Sequence, residues 1–326
     1  GVPGNLDVQG DFGDGRIAIK GSIVAKGSNL QVTANGPDVS VFGPYIRLPV
    51  PSGGPYALNA KAGTQRNSFK VEVTSLKVGA SEMVGEALFR VDRKGVPTIT
   101  LNADIAKLDI GDLKAPPVRA AAAPATPSPN APPPPPRLVP TMPFQASWLG
   151  RTALSVTVRL GEIAGLSSKV SNASVTLTSS ETRFAFRAAA TVGGGSAGFD
   201  LVYDPAGRLG QAPLTATASK ASLGDLTALL GFDIGLKDAV GDIDVRLRGA
   251  GRTTRDALNA ANGAIEVAVA KGIWPRDPLA RWPAETQRLL GADSGAVPFN
   301  CIAGRFDVSG GVAYLRRLVV DTPRAT

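Results

Sequence analysis

The chain contains no histidine, so the commonest general base and the commonest transition-metal ligand are missing together. A Ser-His-Asp or Cys-His arrangement cannot be assembled from it. The single cysteine, Cys301, has no partner for an internal disulfide, and the redox compartment stays open on that count. Aromatic residues make up only 6% of the chain, so apolar surface must come from Val, Leu, Ile and Ala rather than from large core anchors. No stretch approaches the roughly 20 consecutive apolar residues of a membrane-spanning helix. The chain opens at Gly-Val, without Met and without a charged-then-apolar leader, which predicts a portion of a longer protein whose anchor or export signal lies upstream.

What is present points to strands. Across 326 residues, 43% hydrophobic content suffices for a sizeable apolar surface, and 38 glycines with 26 prolines favour many short strands and turns. The net charge of +8 permits attraction to anionic headgroups or nucleic acid. Its arginines are scattered along strand-like stretches rather than interleaved with aromatics as in a single-strand binding platform. They read as a solvated strand face, and no nucleic-acid partner is expected.

Residues 115–143 are Pro/Ala-rich, with five consecutive prolines at 132–136 that favour an extended conformation without internal hydrogen bonds. This segment separates a first strand-rich region, 1–114, from a second, 144–326. It reads as a spacer or loop, with a partner-binding PxxP docking site as its functional alternative.

On both sides the hydrophobic period is two. "FKVEV" sets Phe69, Val71 and Val73 against Lys70 and Glu72, and "DIDVRLR" sets Ile243, Val245 and Leu247 against Asp242, Asp244, Arg246 and Arg248. The same alternation gives Phe89 and Val91, Ile99 and Leu101, Phe184 and Phe186, then Phe199, Leu201 and Tyr203. It gives Ile265, Val267 and Val269, and last Phe306 and Val308. In "AYLRRLVV" both parities carry apolar residues, and its facing is undetermined. Helical signals are confined to 222–230, 253–262 and 277–291, the last interrupted by Pro283. So little helix cannot cover so many one-sided strands. The expected fold is mainly β: an elongated, curled antiparallel sheet forming a repeating groove, with a few short helices.

An internal repeat supports an elongated array. The stretches from Asp92 and from Asp204 both run Asp-x-x-Gly turn, proline, strand, then Lys-x-x-[Ile/Leu]-Gly-Asp-Leu, ending at Leu113 and Leu226.

Motifs that promise chemistry weigh less than they look. "GGGSAG" at 193–198 fits both a phosphate loop and a nucleophile elbow around Ser196, yet a strand rather than a helix follows it. It reads as a hairpin turn. Cys301 has only Arg305 nearby to favour a thiolate and reads as a small, half-buried strand residue. Asp242 and Asp244, with Asp238 and Glu266, are the wet face of a strand rather than a calcium or catalytic pair. A glycan-active β-solenoid would need paired inward carboxylates, and none are found. No catalytic residue, cofactor or metal ligand is expected.

The apolar faces admit two arrangements: a sandwich in which two faces pack together, or a curled sheet whose concave face takes acyl chains. Here three stretches carry a family resemblance: "LPVPSGGPYALNAKAG" (48–63), "FKVEVTSLKVGASEMVGEALFRVDRKGVPTITLNADIAKLDIGDL" (69–113) and "VPFNCIAGRFDVSGGVAYLRRLVVDT" (297–322). The chain resembles the AsmA-like proteins of Gram-negative envelopes. That resemblance implies a periplasmic portion of a protein anchored in the inner membrane, with a long sheet folded lengthwise into a groove that carries phospholipid toward the outer membrane. It implies no enzymatic activity. The apolar residues named above would line the groove. The alternative is a structural scaffold for outer-membrane assembly. Two departures stand out: the anchor is absent from this chain, and the proline-rich insertion is not part of the family's core pattern.

Overall fold

The computed structural model describes residues 4–24, 27–43, 52–65, 67–92, 95–114, 144, 152–166, 168–205, 210–229, 231, 236–274, 283–285, 288 and 296–323. In chain order the strands are β1 (Gly4–Phe12), β2 (Gly15–Val24), β3 (Gly27–Gly36), β4 (Ser52–Gly53), β5 (Tyr56–Gln65) and β6 (Ser68–Val78). They continue with β7 (Ser81–Val91), β8 (Pro97–Asp109), β9 (Leu113–Lys114), β10 (Ala153–Ala164), β11 (Val170–Ser180) and β12 (Arg183–Val192). The last six are β13 (Gly195–Tyr203), β14 (Gln211–Ser222), β15 (Val240–Ala250), β16 (Asn262–Trp274), β17 (Val297–Ser309) and β18 (Val312–Asp321). Sixteen of them form one sheet in sequence order, β4 and β9 making a separate two-stranded ribbon. The sheet curls without closing. The expected mainly-β, curled architecture is therefore what the chain adopts.

Every pairing in the large sheet is antiparallel except β8 with β10, which run parallel from Thr98↔Ala153 to Asp109↔Ala164. The strand-rich regions on either side of residues 115–143 thus share one sheet. Each contributes an odd number of strands to it, seven before the joint and nine after. An odd meander ends in the direction in which it began, so β1, β8 and β10 all run the same way, and the register Leu101↔Val156 keeps the apolar side common to both regions.

Strand register carries that side through the whole sheet, because directly paired residues share a face. The pairings Leu6↔Gly21, Ile19↔Val32, Val32↔Ala60, Ala62↔Val71 and Phe69↔Phe89 lead to Phe89↔Ile99 and Leu101↔Val156. From there Val156↔Leu177, Leu177↔Phe186, Phe186↔Leu201, Leu201↔Leu214 and Leu214↔Leu247 continue the row. Val245↔Ile265, Ile265↔Phe306 and Phe306↔Leu315 finish it. The opposite face carries the charges, joined across strands by exposed ion pairs such as Lys70–Glu86, Arg159–Asp104 and Arg187–Asp200. Each such pair is worth about 0–1 kcal/mol, so they orient the wet face more than they hold the sheet.

Bulges keep the face constant where the sequence alternation slips. In β6 the apolar positions run Phe69, Val71, Val73, then Leu76 and Val78, and the register shifts by one residue at Thr74 against both neighbours. Extra residues at Ala106 in β8, which β10 matches in register with Gly161, between Ser171 and Ser174 in β11, and between Ala218 and Ala221 in β14 do the same. Asn172 and Lys220, inside the last two, have positive φ. All lie within a few residues of the same end of their strands. Since a bulge bends its strand, this row creases the sheet along one long rim.

That rim is where the buried residues concentrate. The 3-10 turn Val39–Phe42 lies there, and Phe42 meets Tyr56 edge-on at 5.2 Å. The Tyr56 side chain is buried, close against Gly15 and Gly36, and its hydroxyl has no hydrogen-bond partner. Burial without a partner pushes that hydroxyl's pKa up. Because an orphaned buried hydroxyl costs about 1–3 kcal/mol, Tyr56→Phe is expected to raise stability by about 1 kcal/mol in urea unfolding. Gly36→Ala, whose methyl group would meet the ring, is expected to lower it.

Candidate functional site

The twenty apolar residues singled out by periodicity all fall on the one continuous face. Three of them, Tyr203, Val269 and Val308, are buried. Phe69, Phe89 and Val91 are exposed, and the other fourteen are half-buried. A sandwich core would bury nearly all of them. Among the described residues no second sheet larger than the β4–β9 ribbon exists to do so, and the described strands do not form a sandwich.

Short elements fold onto the apolar face from both rims. On the creased rim the helix Leu223–Leu229 brings Leu223 and Leu226 against Ile243, Val267, Val269 and Ile302, with Phe299 and Trp274 completing the cluster. On the opposite rim the helix Thr254–Asn259, held by a Thr253–Asp256 capping box, sets Ala257 against Tyr203 and Ala212. Phe144 stacks on the Tyr203 ring at 4.5 Å, packed beside Phe184 and Leu201, and donates its N–H to the Arg252 carbonyl. Both helices match expected segments. Most of the third, 277–291, lies outside the described residues. The apolar face is thus bordered on both rims by short elements packed onto it. Fifteen strand spacings of about 4.8 Å give it a length of roughly 70 Å along the sheet.

The walls repeat a device. Each of three modules is a hairpin, a third strand and a short helical turn that leans back on the hairpin's glycine. In the second module the turn Ile110–Asp112 places the Asp112 carboxylate beside Gly79, at φ 56°, where any side chain would collide with it. Asp112 Oδ2 accepts from the Ala80 N–H at 2.7 Å, the Ser81 N–H at 3.1 Å and the Ser81 hydroxyl at 3.0 Å. The buried Ser81 hydroxyl also accepts from the Asp109 N–H at 2.9 Å. In the third module Asp225 stands against Gly193, at φ 54°. These are the two Gly-Asp-Leu repeats, and their aspartates brace turns. The first module, β1 to β3 with Val39–Phe42, was missed in the sequence because Val41 rather than an aspartate meets Gly13 there. Asp38 instead caps its own turn, accepting from the N–H groups of Ser40 at 2.8 Å and Gly53 at 3.2 Å.

The polar candidates resolve into structural roles. "GGGSAG" is a two-residue hairpin turn, with Val192 paired to Gly195 and positive φ at Gly193 and Gly194. Asp242 accepts from the N–H of the bulge residue Lys220 at 2.9 Å, which is the chief reason its carboxyl titrates below the usual range. Asp244 pairs with Arg246, and Glu266 with Arg305. Cys301 is exposed rather than half-buried. Its strand buries Val297 and Phe299, then turns Ile302 and Phe306 inward, so the alternation changes phase at Asn300 and Cys301. Among the described residues no three His, Cys, Asp or Glu side chains gather to hold a metal ion, and no helix is long and apolar enough to cross a membrane.

No protein-family model matches the chain, no curated protein matches it, and no solved structure matches it.

Two outcomes test the wall device. Asp112→Ala leaves three donors without their acceptor and is expected to cost about 2 kcal/mol in urea unfolding. At Asp38 the Ser40 N–H bond leads in lowering the carboxyl below its ordinary 3.8. A carboxyl lowered on folding stabilises fully above its unfolded value and loses that contribution as pH falls through the folded one. The Ser40 and Gly53 amide resonances are therefore expected to stay fixed from pH 7 to 5 and to move together only below about 3.8.

Proposed function

We propose that this chain is a non-enzymatic cell-envelope protein that binds phospholipid by its acyl chains and conducts it along the apolar trough. The observation that carries this reading is a face apolar in all sixteen strands that is neither packed as a core nor charged as a surface. An acyl chain needs continuous apolar contact and no directed polar groups, and each methylene moved out of water is worth up to about 0.8 kcal/mol. A floor of half-buried Val, Leu, Ile, Ala and Phe side chains supplies that contact without filling the space above it. Headgroups would remain at the open mouth, in water.

The AsmA-like resemblance, the periplasmic location and attachment to the inner membrane through an upstream anchor belong to the same proposal. They agree with a trough that has no reaction to perform. An envelope partner acting through residues 115–143 is also part of it, and that segment lies outside the described residues.

The test is native mass spectrometry with lipid extraction on the wild type and on the double variant Phe69→Asp, Phe89→Lys, whose opposite charges face each other across the pair. Both side chains are 41% exposed, so the variant is expected to melt within a few degrees of wild type. Phospholipid held by the wild type and lost from the variant is the expected result. No lipid in the wild type, with a variant that unfolds, would make the face a protein-packing surface and favour the scaffold.

A further inference from the structure

The parallel pairing of β8 with β10 constrains the path of the chain between them. β8 ends at the creased rim, while β10 begins at the opposite one, where Ala153 lies beside Thr98. The connection therefore crosses the full width of the sheet, over either the apolar face or the charged one.

Both ends of that path lie on the apolar side. Leu113 and Lys114 leave the creased rim paired with Ser52 and Gly53, and Gly53 lies against the side chains of Val39 and Val78. At the opposite rim Phe144, only 6% exposed, packs on the apolar face against Tyr203, Leu201 and Phe184. Handedness selects the same side. Val192 and Gly195 close a two-residue turn, so Val192 directs its backbone N–H and C=O toward β13 while its side chain shares the apolar face with Phe186. For an L-residue this puts β13 to the right of β12 when the apolar face is toward the viewer and β12 runs upward. β8 runs the same way as β12, and β10 lies on that same side of it. A connection in front of the apolar face is then right-handed, as parallel crossovers are in about 98% of cases.

Length and composition fit this route. Between Lys114 and Phe144 stand 29 residues, among them twelve prolines, seven alanines, two arginines and no acidic residue. An extended proline-rich chain of that length reaches about 90 Å. The direct path, one strand length and four strand spacings from β8 to β13, is roughly 45 Å. The outer route would lay this segment over the solvated Arg159–Asp104 and Arg187–Asp200 pairs.

We propose that residues 115–143 cross on the apolar side and are themselves what lies over that face between β8 and β13, with Phe144 as the anchor at the far rim. The face before β8 and beyond β13 stays open to other apolar occupants. Within the crossing an acyl chain would have to displace the segment, so the inference stands apart from the transport reading and is tested without lipid.

The test is cross-linking in the whole chain, with Cys301→Ser removing the exposed native thiol. Pro129→Cys, midway along the segment, is combined either with Leu177→Cys on the apolar side of β11 or with Thr176→Cys on its outer side. A short bismaleimide is then added to dilute protein. The Leu177 pair is expected to link about tenfold faster than the Thr176 pair, because tethering raises effective concentration on one side only. Should the melting curve show either β11 variant unfolded, Val158→Cys against Thr157→Cys in β10 makes the same comparison. Equal rates, faster linking on the outer side, or no intramolecular link on either side would overturn the proposal.

Discussion

The structure depends on the period-two geometry of a paired strand held without error across fifteen pairings. A slip of one residue anywhere would turn a strand's apolar set outward and its charges onto the floor. The chain prevents this in two ways. Most strands alternate cleanly, and where the alternation changes phase an extra residue is absorbed as a bulge, as at Thr74 and Ala106. Because these insertions line up along one rim, the correction of phase and the bending of the sheet are the same event.

A sheet apolar on one face ordinarily finds a second layer. Here the short helices and turns reach only the margins, so Leu223 and Ala257 seal the rims while the middle of the floor is left half-covered. The fold is therefore stabilised chiefly by its ladder and its margins, with small residues such as Ala221, Ala239 and Ala261 filling the tight places.

The repeat found in the sequence has a mechanical meaning that its letters do not announce. Gly-Asp-Leu resembles a ligand loop, yet its aspartates serve as props against hairpin glycines at Gly79 and Gly193. The same job is done at Gly13 by Val41, which shows that the contact, rather than the charge, is what the module needs. The carboxylates that looked most like a site, Asp242 and Asp244, are occupied by a bulge amide and an arginine.

Strand identity and the common face of residues such as Phe69, Phe186, Leu201 and Ile265 were legible in the sequence, because alternation along a strand is a local property. The facing of "AYLRRLVV" was not. The bulge at Arg316 puts Leu315 and Leu318 on one side although three residues separate them. Nor did the sequence foretell that Cys301 is exposed, which follows from a phase change shared with the neighbouring strand. Composition determined by itself that this chain builds one-sided strands with too little helix to cover them. Only the tertiary structure decided that both regions join in parallel into one sheet with an uncovered floor, since register and bulge placement are set by pairing between strands far apart in the chain.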